Sequence, residues 1–338
     1  MGTVKRIKMA MGGLFLVAVA GVVGGANYLN KANAPLPEGK EIMVRIAEDS
    51  PYIRVMTTLQ EKGVVRDPRA SVWLAKLRGK FVPFKSGTYK LKPGMTVEEV
   101  WAAMDRPVKQ MVRIPEGWWI ARVAARLEEN GVCTAREYIE ATQKPEDFAK
   151  VVKFKLPKGS LEGYLYPDTY DFPPMLGAKE AIRRQLQAFE KRVTPLLPAQ
   201  VDLDRVITIG AMIQCEVARD EERSRVAGVI ENRLKKNMRL QIDATALYGQ
   251  QKWENLGPGK INNIKSPYNT YLHGGLPPGP ICSPTAASIE AALKPERNNY
   301  IFYVAKPDKT HFFSVSYGEH LGNINKARAL ARAATPAG

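Results

Sequence analysis

Apolar and polar positions follow strand and helix periods in turn from residue 42 onward. The stretch "EIMVRI" alternates apolar and polar side chains, which predicts a half-buried strand. Ser50 and Pro51 then predict the start of a helix that ends at Gly63. In "SGTYKLKPGMTVEEVWAAM" a strand and a Pro-Gly turn precede a helix, with Thr96 as its cap and Glu99 three residues later. We therefore expect small α+β units here.

Two segments of the chain are copies of one unit. "VRIAEDSPYIRVMTTLQEKGVV" from Val44 aligns without a gap with "VRIPEGWWIARVAARLEENGVC" from Val112, and ten positions coincide. A looser echo of the sequence between the copies follows the second one, in "LEGYLYPDTYDFPP" and the helical "AKEAIRRQLQAFEKRV". This self-similarity predicts a duplicated strand–turn–helix module.

The rest of the chain has a different pattern. A long helical stretch runs from Val201 to Asn237, turn-rich sequence follows, and "YIFYVAKP" and "THFFSVSY" predict a strand pair. We place the main boundary near Pro107, so that residues 32–40 are a linker, 41–106 a first α+β module, and 107–332 a larger α+β domain.

Glu216 lies on an apolar helix stripe. In "IGAMIQCEVARDEERSRVAGVIENRL" the residues Ile209, Met212, Ile213 and Val217 recur at helical spacing, and Glu216 falls among them. Burial of an unpaired carboxylate costs several kcal/mol, so such a position needs a partner, a proton, or chemistry that uses a raised pKa. A carboxyl group in an apolar pocket stays protonated near neutral pH and can act as a general acid.

A second catalytic carboxylate is harder to find. Ordinary glycosidases use two carboxyl groups. Asp220, Glu221 and Glu222 follow too closely on the exposed helix end to face the same sugar, and we expect Glu222 to be exposed or to cap a helix. Asp243 is a possible second. Alternatively, a substrate hydroxyl is the nucleophile, and one carboxyl group serves first as acid and then as base.

The amino-terminal residues predict a membrane anchor. Lys5, Arg6 and Lys8 precede an uncharged stretch over residues 9–26, close to the ~20 residues that cross a bilayer. The basic flank predicts a cytoplasmic tip, so residues 1–31 form a single-pass anchor and the remainder lies outside a bacterial inner membrane. A cleaved signal peptide is the alternative, since "VVGGAN" offers small residues near a cleavage point.

Composition excludes several classes of protein. The three cysteines, Cys133, Cys215 and Cys282, are widely spaced without a CxxC, which argues against a disulfide framework and a thiolate metal site. The three histidines have no HExxH spacing and no phosphate-binding glycine motif occurs, so we predict neither metal nor cofactor. The net charge of +16 suits anionic lipid heads and acidic wall polymer in an exported chain, and we predict no nucleic-acid partner.

Five segments in order carry a resemblance to a known family: "LEGYLYPDTY", "ERSRVAGVIENRL", "RLQIDATALYG", "SPYNTYLHGGLPPGPI" and "HFFSVSYGEH". With them the chain resembles the endolytic murein transglycosylases of the MltG (YceG-like) family. These are anchored bacterial enzymes that cleave nascent peptidoglycan between N-acetylmuramic acid and N-acetylglucosamine. The resemblance implies a LysM-like fold for residues 41–106, glycan strands and the inner membrane as partners, and peptidoglycan synthases as further partners.

The resemblance also implies the role of Glu216. It protonates the glycosidic oxygen and then takes the proton from the muramic acid C6 hydroxyl as a 1,6-anhydro ring closes. One departure stands beside it, because the family commonly has Glu-x-Glu where this chain has Gln214-Cys215-Glu216. A non-catalytic wall-binding or divisome scaffold, and a hydrolase of the same bond with Asp243 as base, remain the alternatives.

Nine further motif residues suit a sugar cleft, because amides, carboxylates and hydroxyls bond to sugars and tyrosine rings stack on them. We expect six to bind substrate: Gln241, Asp243, Tyr248, Asn269, Thr270 and Tyr271. We expect three to support the cleft: Glu162, Tyr166 and Asp168. Turn capping and core packing are the competing roles.

Overall fold

The computed structural model describes residues 19–252 and 259–334. Helices predominate in it, together with three two-stranded antiparallel sheets, so the predicted α+β class is confirmed for these residues. The chain divides into two compact units. Unit 1 comprises the residues up to Gln110 together with Phe172–Leu176, and unit 2 comprises Met111–Asp171 and the residues from Gly177 onward.

The predicted membrane anchor is described only in part. Residues 19–32 are helical (α1), and the first 18 residues of the anchor lie outside the described residues. Within residues 19–252 and 259–334, helices with both the length and the apolar character needed to cross a bilayer are absent.

Unit 1 is built from two strands and three helices after α1. Its elements are β1 (Ile42–Ile46), α2 (Tyr52–Glu61), α3 (Pro68–Leu77), β2 (Gly87–Leu91) and α4 (Val97–Met104). The two strands pair antiparallel from Ile42 opposite Leu91 to Ile46 opposite Gly87. A buried apolar cluster joins the strands to the helices; its largest members include Met56, Leu59, Tyr89, Leu91, Trp101 and Met104.

Of the two predicted helix starts in unit 1, one is confirmed and one is shifted by a residue. Thr96 and Glu99 form the predicted capping box at α4. Ser50 was expected to begin α2, but its hydroxyl donates to the Ala47 carbonyl at 2.9 Å. Pro51, with an extended ψ of 142°, takes the N-cap position instead. The helix therefore begins one residue later than predicted.

Unit 2 begins with the second copy of the repeat. Its elements are β3 (Met111–Arg113), α5 (Ile120–Glu129), α6 (Ala135–Thr142), β4 (Thr169–Asp171) and α7 (Ala178–Val193). Strand β3 pairs antiparallel with β4, as β1 does with β2. In the ungapped alignment, Tyr52 at the start of α2 corresponds to Ile120 at the start of α5. The predicted duplication is thus confirmed as a repeated β-α-α-β-α order.

The long helical stretch from Val201 to Asn237 is not continuous. Helix α8 (Leu203–Glu216) ends at Val217, and α9 (Arg223–Lys235) starts after a short 3-10 turn. Val217 is β-branched, a residue type that favours extended backbone, and has φ −112° and ψ 117° with its side chain buried. The prediction of one continuous helix is therefore wrong. The break follows Glu216, which is the last residue of α8.

The remaining elements complete unit 2 around α8 and α9. They are α10 (Asp243–Gly249), α11 (Ala286–Leu293), β5 (Phe302–Ala305), β6 (His311–Ser314) and α12 (Tyr317–Ala334). Strands β5 and β6 form the predicted antiparallel pair. Helix α11 packs closely on α8, where a Cβ added at Gly210 would lie 3.4 Å from the Ile289 side chain.

Candidate active site

Glu216 lies half-buried at the end of α8 and faces strand β5. The Tyr303 hydroxyl donates a hydrogen bond of 3.0 Å to Glu216 Oε2. Burial raises the pKa of Glu216 to about 7, and the negative charge of Asp243 acts in the same direction. The Tyr303 hydrogen bond and the charge of Arg233 oppose the rise. At neutral pH the group is therefore divided between its acid and base forms.

Arg233 holds three segments together beside Glu216. Its buried guanidinium donates to the carbonyls of Ile301 at 2.7 Å and Leu240 at 2.6 Å. It also lies 5.4 Å from the ring centroid of Phe302, a cation–π distance. These bonds fix the start of β5, and hence Tyr303, to α9.

Tyr303 and Arg233 are site residues that sequence reasoning missed. Arg233 lies in the motif "ERSRVAGVIENRL", where its position one helical turn after Val229 and Ile230 was the available signal. Tyr303 lies in a predicted strand, and no local pattern indicates that its hydroxyl meets a carboxyl group 87 residues earlier.

Asp243 and Tyr271 form a second polar pair near Glu216. The Tyr271 hydroxyl donates to Asp243 Oδ1 at 2.6 Å, and Asp243, the first residue of α10, is exposed. Burial and the Asp243 carboxylate raise the pKa of Tyr271, with a smaller contribution from Glu216. The structure therefore brings Asp243 and Tyr271 to the surroundings of Glu216.

Asn269 and Thr270 are buried beneath this pair. The Asn269 amide donates to the carbonyls of Ile261 and Ile264, at 2.9 Å each, and its oxygen accepts from the Tyr271 backbone at 3.0 Å. Thr270 Oγ1 accepts from the Ile242 backbone at 3.0 Å. Their side chains position Tyr271 and the start of α10, and the expected contact of both residues with substrate stays a prediction.

Gln241, like Asp243, is an exposed member of the predicted substrate-binding set. Its backbone N–H donates to the Thr270 carbonyl at 3.2 Å. Its φ of 52° lies in the left-handed region, which costs a non-glycine residue about 1–2 kcal/mol. The side chain is free to face solvent, and its contact with substrate stays a prediction.

Glu162 is a second carboxyl group with a raised pKa. It is buried and accepts from the Ile120 backbone at 3.1 Å, at the first residue of α5, and from the Tyr248 hydroxyl at 3.2 Å. Burial raises its pKa to about 7, although these hydrogen bonds act against the rise. Tyr248 packs against Tyr268 with ring centroids 4.8 Å apart. Glu162 therefore links the α5 N-terminus to α10.

A cavity of about 550 Å³ adjoins this part of unit 2. Glu162 and Tyr268 line it together with charged residues that include Asp204, Arg205, Lys155 and Lys158. Tyr268 and Glu162 both contact Tyr248 of α10, the helix that begins with Asp243. Helix α10 therefore contacts the cavity lining through Tyr248 and lies near Glu216 through Asp243.

Tyr166 and Asp168 lie in the segment just before β4. The Tyr166 carbonyl accepts from the Tyr170 hydroxyl at 2.6 Å, and the Asp168 carbonyl accepts from the Ile114 backbone at 2.9 Å. The Asp168 carboxylate also lies 3.6 Å from the Arg192 guanidinium. The structure places both residues in the framework, and any effect on cleavage stays a prediction.

Glu222 is buried, which contradicts the expectation of an exposed residue, while its position is the N-cap of α9, as the alternative expected, without a side-chain capping hydrogen bond. Its carboxylate lies 2.7 Å from His311 Nδ1 and accepts from the His311 backbone at 3.0 Å. The residue is only 8% exposed. Sequence reasoning was misled because Glu222 closes an acidic run that resembles a solvated helix end, while its partner lies 89 residues away.

Gln214 stands where the family commonly has the first glutamate of Glu-x-Glu, and its side chain accepts hydrogen bonds from the start of α11. Its Oε1 accepts from the Thr285 backbone at 3.1 Å, the Thr285 hydroxyl at 2.9 Å and the Ser288 hydroxyl at 2.8 Å. These donors lie at the N-terminus of α11. An amide oxygen accepts these hydrogen bonds as a carboxylate oxygen would. Glutamine in place of glutamate therefore keeps the acceptor and removes a negative charge near Glu216.

The chain is similar to known proteins over most of its length. Residues 44–326 match the model of the YceG-like family. The endolytic murein transglycosylase of Bacillus subtilis is 27% identical over 330 residues, covering 91% of this chain and 90% of that protein. That of Streptococcus pneumoniae serotype 2 is 27% identical over 323 residues, and the match covers 85% of this chain and 58% of that protein.

A solved structure is also similar. The crystal structure of a putative yceG-like protein from Listeria monocytogenes superposes with a TM-score of 0.57 at 29% identity. The match covers 84% of this chain and 99% of that one. The match to the family model spans most of the chain and includes Glu216, Asp243, Tyr271 and Tyr303. This chain belongs to the YceG-like family.

Proposed function

We propose that this chain is an endolytic murein transglycosylase, which cleaves peptidoglycan between N-acetylmuramic acid and N-acetylglucosamine. Relatives that carry this name match most of the chain. The observation that carries the proposal is Glu216, a half-buried carboxyl group with a pKa of about 7 and a single hydroxyl donor, Tyr303. Such a group is suited to give and to take a proton at neutral pH.

One carboxyl group suffices for both steps. Protonated Glu216 donates its proton to the glycosidic oxygen, and the bond from that oxygen to the muramic acid C1 breaks. Ionised Glu216 then removes the proton from the C6 hydroxyl of the same muramic acid as its oxygen bonds to C1. The product is a 1,6-anhydro ring, water is not consumed, and Glu216 returns to its protonated state.

The neighbouring residues serve orientation and binding. Tyr303 holds one oxygen of Glu216 and leaves the other for the glycosidic oxygen. Exposed Asp243 and Gln241 are placed to bond to sugar groups, and the cavity beside Glu162 offers room for the glycan to extend.

Product analysis of purified sacculi tests the proposed reaction. We expect soluble fragments that end in 1,6-anhydromuramic acid and that include chains longer than one disaccharide. Reducing muramic acid ends would favour the hydrolase, in which Asp243 activates water. Binding without release of fragments would favour the wall-binding scaffold.

Tyr303→Phe should change the pH dependence of cleavage. The Tyr303 hydroxyl stabilises the ionised form of Glu216, so its removal raises the pKa of Glu216 above about 7. A hydrogen bond to a charged group contributes about 1.5–3 kcal/mol, which corresponds to a shift of about one unit or more. We expect the alkaline limb of kcat/KM to move upward by about one unit, with an optimum rate about tenfold lower.

Tyr300→Phe is the matched control for this variant. Tyr300 lies three residues before Tyr303, and its ring packs on Phe313 with a centroid distance of 5.6 Å. Loss of its hydroxyl should leave the alkaline limb in place. An unchanged limb in Tyr303→Phe would show that Glu216 does not govern the pH profile.

We also propose that residues 1–31 anchor the enzyme in the inner membrane, with the rest on the side where peptidoglycan lies. Support comes from the basic residues before the uncharged stretch over residues 9–26 and from a substrate outside the cytoplasm. Amino-terminal sequencing of the membrane-bound protein should recover the uncleaved start. A mature terminus near Asn27 would contradict the anchor.

Residues 41–106 are proposed as a LysM-like glycan-binding module, with peptidoglycan synthases as further partners of the anchored enzyme. The module's compact core, which includes Trp101 and Tyr89, supports an independent unit. Deletion of residues 41–106 should weaken binding to sacculi and leave the bond cleavage itself detectable. Unchanged binding to sacculi would contradict the module's role.

A further inference from the structure

Two of the three cysteines meet beside Glu216. The sulfur of Cys215 lies 3.3 Å from the sulfur of Cys282, although 67 residues separate them in the sequence. Cys282 is fully buried, and its thiol donates to the Ala211 carbonyl at 3.4 Å. Cys215 is half-buried. Wide spacing and an odd count had argued against a disulfide framework, and the fold brings this one pair together.

The neighbours of both cysteines hold the two sulfurs face to face. On one side, Gln214 is bonded to the N-terminus of α11 through Thr285. On the other, the Ser283 backbone donates to the Trp118 carbonyl at 2.9 Å and its carbonyl accepts from Gly117 at 3.0 Å. A disulfide requires a sulfur–sulfur distance of about 2.05 Å. Closing the gap therefore needs an approach of about 1.3 Å, which small rotations of the two side chains can supply.

We propose that Cys215 and Cys282 form an intramolecular disulfide that ties the end of α8, one residue before Glu216, to the segment that precedes α11. The proposal rests on the proposed function for its setting, since disulfides persist outside the cytoplasm and are reduced within it. Its chemistry does not depend on the cleavage reaction.

The cross-link forms by thiol–disulfide exchange with a disulfide oxidant, either a small molecule or a protein. Cys215, the more accessible thiol, loses its proton and attacks the oxidant, which releases one thiol and leaves a mixed disulfide on Cys215. Cys282 then loses its proton and attacks the Cys215 sulfur, which releases the second thiol. Two electrons pass to the oxidant. Burial raises the pKa of the Cys282 thiol, which opposes the second step, while the 3.3 Å separation of the two sulfurs favours it.

Cys133 is a poor competitor for the oxidant. Burial raises the pKa of its thiol to about 11, and the carboxylates of Glu137 and Glu128 act in the same direction. A thiol of this kind carries very little thiolate at neutral pH. The pairing of Cys215 with Cys282 is favoured by geometry, since those two sulfurs already lie 3.3 Å apart.

Peptide mapping of the full chain tests the pairing. The purified protein is incubated with oxidised glutathione, alkylated, and digested with trypsin without reduction. We expect peptides 206–219 and 266–297 to be joined, with the mass of two hydrogens lost, and only Cys133 to be alkylated. Alkylation of both Cys215 and Cys282, a glutathione adduct that persists on Cys215, or a cross-link to Cys133 would each overturn the proposal.

Thermal unfolding tests whether the cross-link clamps unit 2. Cys215 and Cys282 are 67 residues apart in the chain. A disulfide that closes a loop of this length should raise the melting temperature by about 5–10 °C over the reduced protein. The rise should occur in Cys133→Ser, should be reversed by dithiothreitol, and should be absent from Cys215→Ser. If Cys215→Ser fails to fold, the comparison of oxidised with reduced Cys133→Ser decides alone. Equal melting temperatures there would contradict the clamp.

Cleavage of sacculi separates the two proposals. A protein that forms the cross-link but releases no fragments contradicts the proposed function and leaves the disulfide standing. A protein that cleaves sacculi while both thiols remain alkylatable after oxidation contradicts the disulfide alone.

Discussion

Glu216→Gln should fold and bind glycan but lose cleavage of sacculi by about 10²–10⁴-fold, the usual contribution of a general acid–base group. The amide keeps the shape of the side chain and can accept the Tyr303 hydroxyl bond, which the structure shows at 3.0 Å. It cannot deliver a proton to the glycosidic oxygen or accept one from the C6 hydroxyl. Both steps of the proposed reaction are therefore blocked by one substitution.

Above neutral pH, Glu216→Gln should be more stable than the parent, although its activity is lower. The folded-state pKa of Glu216 is raised to about 7 from an ordinary value of 4.5. Its contribution to stability is therefore present below the unfolded pKa and is lost as the pH rises through about 7. At pH 8, Glu216→Gln should unfold at a higher temperature than the parent, and at pH 4 the two should be similar.

Glu221→Gln is the matched control for Glu216→Gln. Glu221 lies five residues further along the chain and is exposed, so the same loss of a carboxylate should leave cleavage within about twofold. Activity of Glu216→Gln within a few fold of the parent, on the same sacculi, would refute the catalytic role. Asp243 would then be the next carboxyl group to test.

Glu222→Ala should lower the free energy of unfolding by about 2–4 kcal/mol. The substitution leaves the His311 ring and backbone N–H without the carboxylate that they bond to. Glu222 binds His311 through both the ring, at 2.7 Å, and the backbone N–H, at 3.0 Å. Loss of these bonds frees β6 from the start of α9. Urea unfolding followed by circular dichroism measures the effect.

Glu221→Ala serves as the control for this second variant, since the neighbouring exposed carboxylate should change the free energy of unfolding by less than about 0.5 kcal/mol. An equally small change in Glu222→Ala would mean that the His311 contacts add nothing to stability. A large effect on both would point to the helix start rather than to the His311 contacts.

Local patterns predicted what local interactions decide. The capping box at Thr96 and Glu99 needs only four residues of sequence, and the repeat at Val44 and Val112 is visible by alignment. The apolar stripe around Glu216 indicated a carboxyl group in an apolar setting, which its raised pKa agrees with. Each of these features arises from neighbours within a helical turn or from direct sequence identity.

Long-range contacts decided what the sequence could not predict. The break after Glu216 follows the burial of Val217, and Glu222 is paired with a histidine on a distant strand. Asn269 resembled a sugar-binding amide, yet its side chain satisfies two backbone carbonyls inside the protein. Tyr303 reaches Glu216 from strand β5, 87 residues further along the chain. Residue type alone carried no information about these partners.

Glu216 is the single carboxyl group on which the proposed chemistry depends, and its pKa can be measured directly. Protein labelled with ¹³C at the glutamate carboxyl carbons can be titrated by NMR, with Glu216→Gln identifying the resonance. We expect that resonance to titrate near pH 7, as its burial requires. A midpoint near the ordinary value of 4.5 would leave Glu216 ionised at neutral pH and would contradict its role as the acid.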